Sequence, residues 1–252
     1  MKTRTGFAIA LLPLLFSCAP IRPEIPMTEV PAAPLMQELD HRRGSFTSLK
    51  AAARVQAERK GRKRVYESVA FLLQDQAKFR IEGYGPLGEP IFSALWDGKD
   101  LMLRRPGEAD FARTGQWAFE RLIGFPFAPS ELAAVLSGNV PPAQKTEEVR
   151  ARCSEDGRCV VVFSTDDARW RVHIVPTAPL RIESGERYRG DDLVYTARFD
   201  SQEMIGGYLF PKRIMVENAD RNAALTIEYQ DVEVNVPIDD SAFLLNSAGT
   251  EQ

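Results

Sequence analysis

The 252-residue sequence predicts a mainly β fold: a strongly curved antiparallel sheet of about 10–11 strands with two or three helices. Three observations predict it. Apolar and polar residues alternate with period two through both halves of the chain, helical spacing is confined to its ends and its middle, and turn-forming clusters separate the alternating runs.

In chain order, Leu35 to His41 predicts a short entry helix. Leu49, Ala51, Ala53, Val55 and Ala57 then alternate with polar residues, as a half-buried strand does. Arg59-Lys60-Gly61-Arg62-Lys63-Arg64 marks a turn, and Val65 to Leu73 returns with apolar residues on both faces. Lys78 to Glu82 and Pro90 to Trp96 follow, joined by a loop at Gly83 to Gly88, and Asp97-Gly98 turns into Leu101 and Leu103. A short strand near Ala109 to Arg113 is compatible with the pattern.

Trp117, Leu122 and Ile123 suggest one short helix. Pro129-Ser130-Glu131 opens a second, carrying Leu132, Val135 and Leu136 and stopped by Gly138. Strand patterns resume at 149–153, 159–164, 169–175, 180–183, 193–199, 208–216 and 224–236. No internal repeat is visible.

The N-terminus reads as a targeting segment, residues 1–17. Lys2 and Arg4 precede an apolar run, Gly6 to Phe16, too short to span a bilayer, for which about 20 residues are needed. Leu15-Phe16-Ser17-Cys18 has the shape of a lipobox, with an aliphatic residue at −3, a small one at −1 and a cysteine to carry acyl chains such as palmitate. An ordinary secretory cut after Ala19 would leave Pro20 beyond the scissile bond, a poor arrangement for cleavage. Residues 18–34 hold five prolines and are expected to form an extended tether, leaving 35–248 as the folded domain.

Without Lys2 and Arg4 the chain has 30 basic and 35 acidic residues, a net charge of −5 that argues against nucleic acid as a partner. Cys153 and Cys159 flank a turn-forming stretch and are expected to form a hairpin-closing disulfide in an oxidising compartment, with free thiols as the alternative. A metal site would need two further ligands, and none is near, so neither metal nor cofactor is expected.

Gly83-Tyr84-Gly85-Pro86-Leu87-Gly88 spells G-x-G-x-x-G, but Glu89-Pro90-Ile91-Phe92 then reads as strand, so no helix N-terminus is offered to a pyrophosphate. His41 and His173 are the only histidines; His173 falls on the polar face of a strand, and no G-x-S-x-G elbow occurs. No catalytic residue is nominated, and the protein is read as a non-enzyme. The basic run at 59–64 is a solvated hairpin tip or a contact for anionic partners. Leu87 either protrudes from its loop or folds back onto the sheet edge.

Phe79-Arg80-Ile81, the Gly85-Pro86-Leu87-Gly88 loop, Leu122-Ile123-Gly124-Phe125-Pro126-Phe127, Gly138-Asn139-Val140-Pro141 and Phe210-Pro211-Lys212-Arg213-Ile214 together resemble the LolB-type outer-membrane lipoprotein insertases. The resemblance is clearest over 79–142; the cysteine pair is not a hallmark of that family. It implies a half-closed barrel with helices as a lid over an apolar cavity. It further implies a monomer anchored by lipid to the outer membrane and facing the periplasm. Such a protein takes acylated lipoproteins from a soluble LolA-like periplasmic carrier and inserts them into that membrane. Leu87 then corresponds to the family's protruding, membrane-contacting leucine. The expected cavity residues are Phe71, Phe79, Ile81, Phe92, Leu101 and Leu103 from the strands, with Trp117 and Leu122 from the lid. A different amphiphile as cargo, or a purely structural lipoprotein with a filled core, are the alternatives.

Overall fold

The computed structural model describes residues 26–104, 112–114, 124–143 and 149–244. The signal segment, Cys18, Trp117 and Leu122 lie outside them. The described chain is one sheet of fourteen strands in which every neighbouring pair is antiparallel.

Strands β2 (Ser48–Arg59), β3 (Arg62–Gln74), β4 (Lys78–Tyr84), β5 (Pro90–Trp96), β6 (Leu101–Arg104) and β7 (Ala112–Thr114) form one meander. A second comprises β8 (Arg150–Ser154), β9 (Cys159–Ser164), β10 (Arg169–Val175), β11 (Arg181–Arg189), β12 (Asp192–Ile205), β13 (Tyr208–Asn218) and β14 (Ala223–Val234). The two meanders join where β14 pairs with β2, from Ala223 opposite Arg59 to Val234 opposite Leu49. The sheet is open: β7 ends one side, and β1 (Met27–Val30) ends the other by pairing with β8.

β1 corrects the expectation of a tether running to residue 34. Met27 to Val30 align with Ser154 to Ala151, and helix α1 (Ala32–Gly44) follows at once. The prolines permit this, because an edge strand tolerates a neighbouring Pro31 and a helix accepts Pro34 in its first turn, where backbone N–H groups have no intrahelical acceptor.

Alternation determines which face is buried. Leu49, Ala51, Ala53 and Val55 of β2, Phe79 and Ile81 of β4, and Leu225, Ile227 and Tyr229 of β14 all point inward. Among the sheet's register shifts, two reset the phase of β3 and β14. On β3, Glu67 and Ser68 together oppose the single residue Arg54, so Arg64 and Tyr66 share the inner face with Val69 and Phe71. On β14, Gln230 and Asp231 oppose Ala52, and the inward set moves to Val234. The outer face carries cross-strand ion pairs such as Arg54–Glu67 at 2.9 Å, Arg171–Glu186 at 3.4 Å and Arg198–Glu217 at 3.4 Å. His173 is part of that face, 3.6 Å from Glu186.

The inner face is covered by a second helix, α2 (Pro129–Leu136), whose residues from Glu131 to Leu136 are all buried. Pro129 occupies its first turn, and the Glu131 carboxylate accepts a hydrogen bond from the Ala128 N–H at 3.2 Å. At the other end, Gly138 has φ +72°, its N–H reaches the Val135 carbonyl at 3.0 Å, and the Asn139 N–H reaches Ala134 at 2.8 Å. This is a Schellman stop, which explains glycine at that position. Helix α1 packs Met36 and Leu39 into the same core. Near the chain's end, a 3₁₀ turn at Asp240–Phe243 lies against β4.

Candidate functional site

Between α2 and the inner face of strands β14, β2, β3, β4, β5 and β6 lies a cavity of about 320 Å³. Its walls are Val55 and Ala57 of β2, Tyr66, Val69 and Phe71 of β3, Ile81 of β4, Ile91, Phe92 and Ala94 of β5, Leu103 of β6, and Leu225 and Ile227 of β14. Leu132 and Leu136, one helical turn apart on α2, form the lid. The polar residues of the lining are Arg64, Tyr66, Ser93 and Arg104. A space walled in this way suits a hydrocarbon chain, and it falls near the lower end of the roughly 300–1,000 Å³ range of small-molecule sites.

One glycine shapes the cavity wall. A Cβ on Gly83 would come within 2.1 Å of the Phe92 ring, which lies over it from the paired position on β5. Phe92 in turn meets Tyr66 edge to face at 5.3 Å between ring centres. The three residues form a stack across β3, β4 and β5.

Buried polar groups hold the lid at both ends. At its N-terminal end, Glu131 lies 2.7 Å from the Arg187 Nε and accepts a hydrogen bond from the Tyr195 hydroxyl. Arg187 continues to Asp167 at 2.8 Å. Burial pushes the Glu131 carboxyl above its ordinary range, against the pull of Arg187 and Tyr195, and it pushes the Tyr195 phenol well up. At the C-terminal end, helix carbonyls that lack an intrahelical partner receive side-chain donors. Tyr229 donates to Leu136 at 3.0 Å, Tyr208 to Ser137 at 2.9 Å, and Arg42 to Gly138 at 3.1 Å. Arg42 also donates to Leu180 and Leu209, and its guanidinium stands 4.6 Å from the centre of the Tyr208 ring. Burial pulls the Arg42 pKa down and pushes that of Tyr208 up to about 12.

Of the residues expected to line a cavity, Phe71, Ile81, Phe92 and Leu103 do so. Phe79 and Leu101 do not: both are buried in the core, each opposite Trp96 of β5, with the Phe79 and Trp96 rings 5.7 Å apart. Trp117 and Leu122 lie outside the described residues. The sequence reading did not assign Val55, Val69, Leu225 and Ile227 to the cavity, although they lie on strands it recognises. It missed Arg42, Glu131, Arg187 and Tyr195 altogether, since a charged or phenolic residue in a strand or helix ordinarily signals solvent.

The loop between β4 and β5 presents Leu87 with 95% of its surface exposed. The loop is well built: the Gly85 N–H donates to the Glu89 carbonyl at 2.8 Å, Gly88 N–H to the Gly85 carbonyl at 3.0 Å, and the Leu87 N–H to the Glu89 carboxylate at 3.0 Å. At Gly85 a Cβ would strike that carboxylate at 1.9 Å, and Gly88 has φ +80°. On the far part of the sheet, Cys153 and Cys159 are bonded across the β8–β9 hairpin, with their Cα atoms 4.0 Å apart.

Comparisons with known proteins agree on the fold. A LolA superfamily protein from Nitrosomonas europaea matches with a TM-score of 0.59 at 16% identity, over 85% of this chain and 98% of its own. An outer membrane lipoprotein-sorting protein domain from Vibrio parahaemolyticus matches with a TM-score of 0.61 at 14% identity, over 83% and 94%. A DUF1329 family protein from Desulfovibrio piger gives 0.56 at 16%, over 84% and 95%. The chain therefore has the LolA-type fold. No family model and no curated protein matches the sequence.

Proposed function

We propose that this protein is a lipid-anchored receptor on the outer membrane. It faces the periplasm, accepts acylated lipoproteins from a soluble LolA-like carrier, and inserts them into the membrane. The observation that carries this reading is the apolar cavity under α2 in a sheet of LolA type. The Vibrio domain of the same fold carries the name of an outer membrane lipoprotein-sorting protein domain, which supports the choice of cargo.

The physical sequence needs no nucleotide and no catalytic group. Each buried methylene is worth about 0.8 kcal/mol, so an acyl chain leaves such a cavity only for something at least as apolar. A bilayer meets that condition. Lipid on Cys18 would hold the receptor at the bilayer and raise its local concentration there. Leu87, exposed on a firm loop, would probe the bilayer surface.

A transfer assay tests the reading. An acylated lipoprotein loaded on its carrier is mixed with this protein and with lipid vesicles, and membrane-inserted cargo is measured. The wild type is expected to pass cargo to the vesicles, and Leu87→Glu to bind cargo but deliver it poorly. Equal delivery by both would remove Leu87 from the mechanism, and no transfer by the wild type would refute the receptor role.

A further inference from the structure

The cavity lining is apolar but for a few residues, and one of these is the cation Arg64. Arg64, exposed on β3, stands in the wall directly across from Ala57 of β2. Its position there is a consequence of the Glu67–Ser68 bulge. Without the extra residue, strand alternation would turn Arg64 to the outer face, away from Val69 and Phe71. Several outer-face arginines of this sheet are paired with cross-strand carboxylates, as Arg54 is with Glu67 and Glu228. Arg64, turned inward, makes no ion pair among the described residues.

The surroundings reinforce the positive potential. Lys60, Arg62 and Lys63 on the same hairpin also make no ion pair among the described residues, and the nearest acid in register, Glu58, is opposite Lys63. Arg104, at the end of β6, is not part of this group: it donates to the Ser93 hydroxyl at 3.3 Å and shares a cross-strand row with Ser93 and Glu82, whose carboxylate it helps to stabilise. Glu82, the other carboxylate of this region, is held by Arg80 at 2.8 Å and Tyr84 at 2.6 Å.

We propose that this site takes an amphiphile with an anionic head: one acyl tail lies under α2, and a carboxylate or phosphate is held at the cavity mouth by the Arg64 guanidinium. The proposal rests on the reading that the cavity accepts an acyl tail, and it goes beyond the lipoprotein cargo to a single-tailed amphiphile with a charged head. A guanidinium presents paired N–H donors that match a carboxylate or phosphate, and the bond between opposite charges is stronger than a neutral one. Neutral tails give an inward-turned arginine nothing to bind. The cavity's size suits one tail, so single-tailed probes are the right test.

The test uses the full chain and three probes with the same tail: hexadecanoate, hexadecyl phosphate and hexadecanol. Affinities are measured by displacement of a fluorescent fatty acid. The wild type is expected to bind at least one anionic probe about tenfold or more tightly than hexadecanol, and added salt should narrow the gap. Arg64→Gln should bring the ratio close to one while hexadecanol affinity stays unchanged, which shows that the cavity is intact. Arg64→Lys should restore part of the preference. The preferred anionic probe tells a fatty acid from a phosphate lipid. If hexadecanol binds as tightly as both anions, or Arg64→Gln leaves the preference untouched, the head-group site is wrong while the tail cavity stands. If no probe binds, the acyl reading itself fails.

Discussion

Glu131 of α2 and Arg187 of β11 meet at 2.7 Å in the interior, Arg187 with only 1% of its side chain exposed and Glu131 with 6%. They join the lid of the cavity to β11, a strand that does not line it. With Tyr229, Tyr208 and Arg42 holding the opposite end, α2 is fixed at both termini, and the cavity is a built-in feature of the fold.

Removing one member of the Glu131–Arg187 pair would leave a buried charge without its partner. Arg187→Met is expected to lower unfolding free energy by about 3–5 kcal/mol, measured by urea denaturation at neutral pH. A loss comparable to that of an exposed pair such as Arg198–Glu217 would mean that water reaches the site.

The same carboxylate gives stability a pH dependence. Burial raises the folded pKa of Glu131 above its unfolded value, so between the two the folded state binds more protons. Its contribution is therefore full below the unfolded pKa, near 4.3, and declines as pH rises towards the folded value. Glu131→Gln is expected to flatten that decline relative to the wild type in denaturation curves taken across this range.

Much of this fold was legible in the sequence, and the failures have physical causes. Alternation at Leu49 to Ala57 and Ala224 to Val236, and the turns at Asp97-Gly98 and Asn218 to Asn222, correspond to strand and turn in the structure. Val65 to Leu73 read as apolar on both faces because the bulge at Glu67–Ser68 lies within it; Val65 points outward and Val69 inward. A bulge has no strong residue signature, so the cavity lining could be named only in part. β1 was missed because Met27-Thr28-Glu29-Val30 sits among prolines and gains its structure from β8, more than 120 positions away.

The contact between Gly83 and Phe92 predicts a specific sensitivity. Gly83→Ala would force the Phe92 ring out of its stack with Tyr66. Stability is expected to fall by about 1–3 kcal/mol, with weaker fatty-acid binding in the same titration. A variant that is destabilised yet binds normally would show that the stack supports the sheet and not the cavity.

The disulfide is expected to matter for stability alone. It closes a short loop on β8 and β9, strands that contribute nothing to the cavity lining. Replacing Cys153 and Cys159 by serine should cost about 2–3 kcal/mol while fatty-acid affinity stays as in the wild type. A loss of binding would reveal coupling between the two meanders.

A single experiment bears most directly on the cavity as an acyl site: native mass spectrometry of the protein released gently from its own membranes, beside a variant with Ala94→Phe filling the space. The wild type is expected to carry one acylated molecule per chain, and the folded variant none. A wild type that emerges empty under conditions preserving other lipid complexes, or a filled variant that carries the same load, would contradict the account.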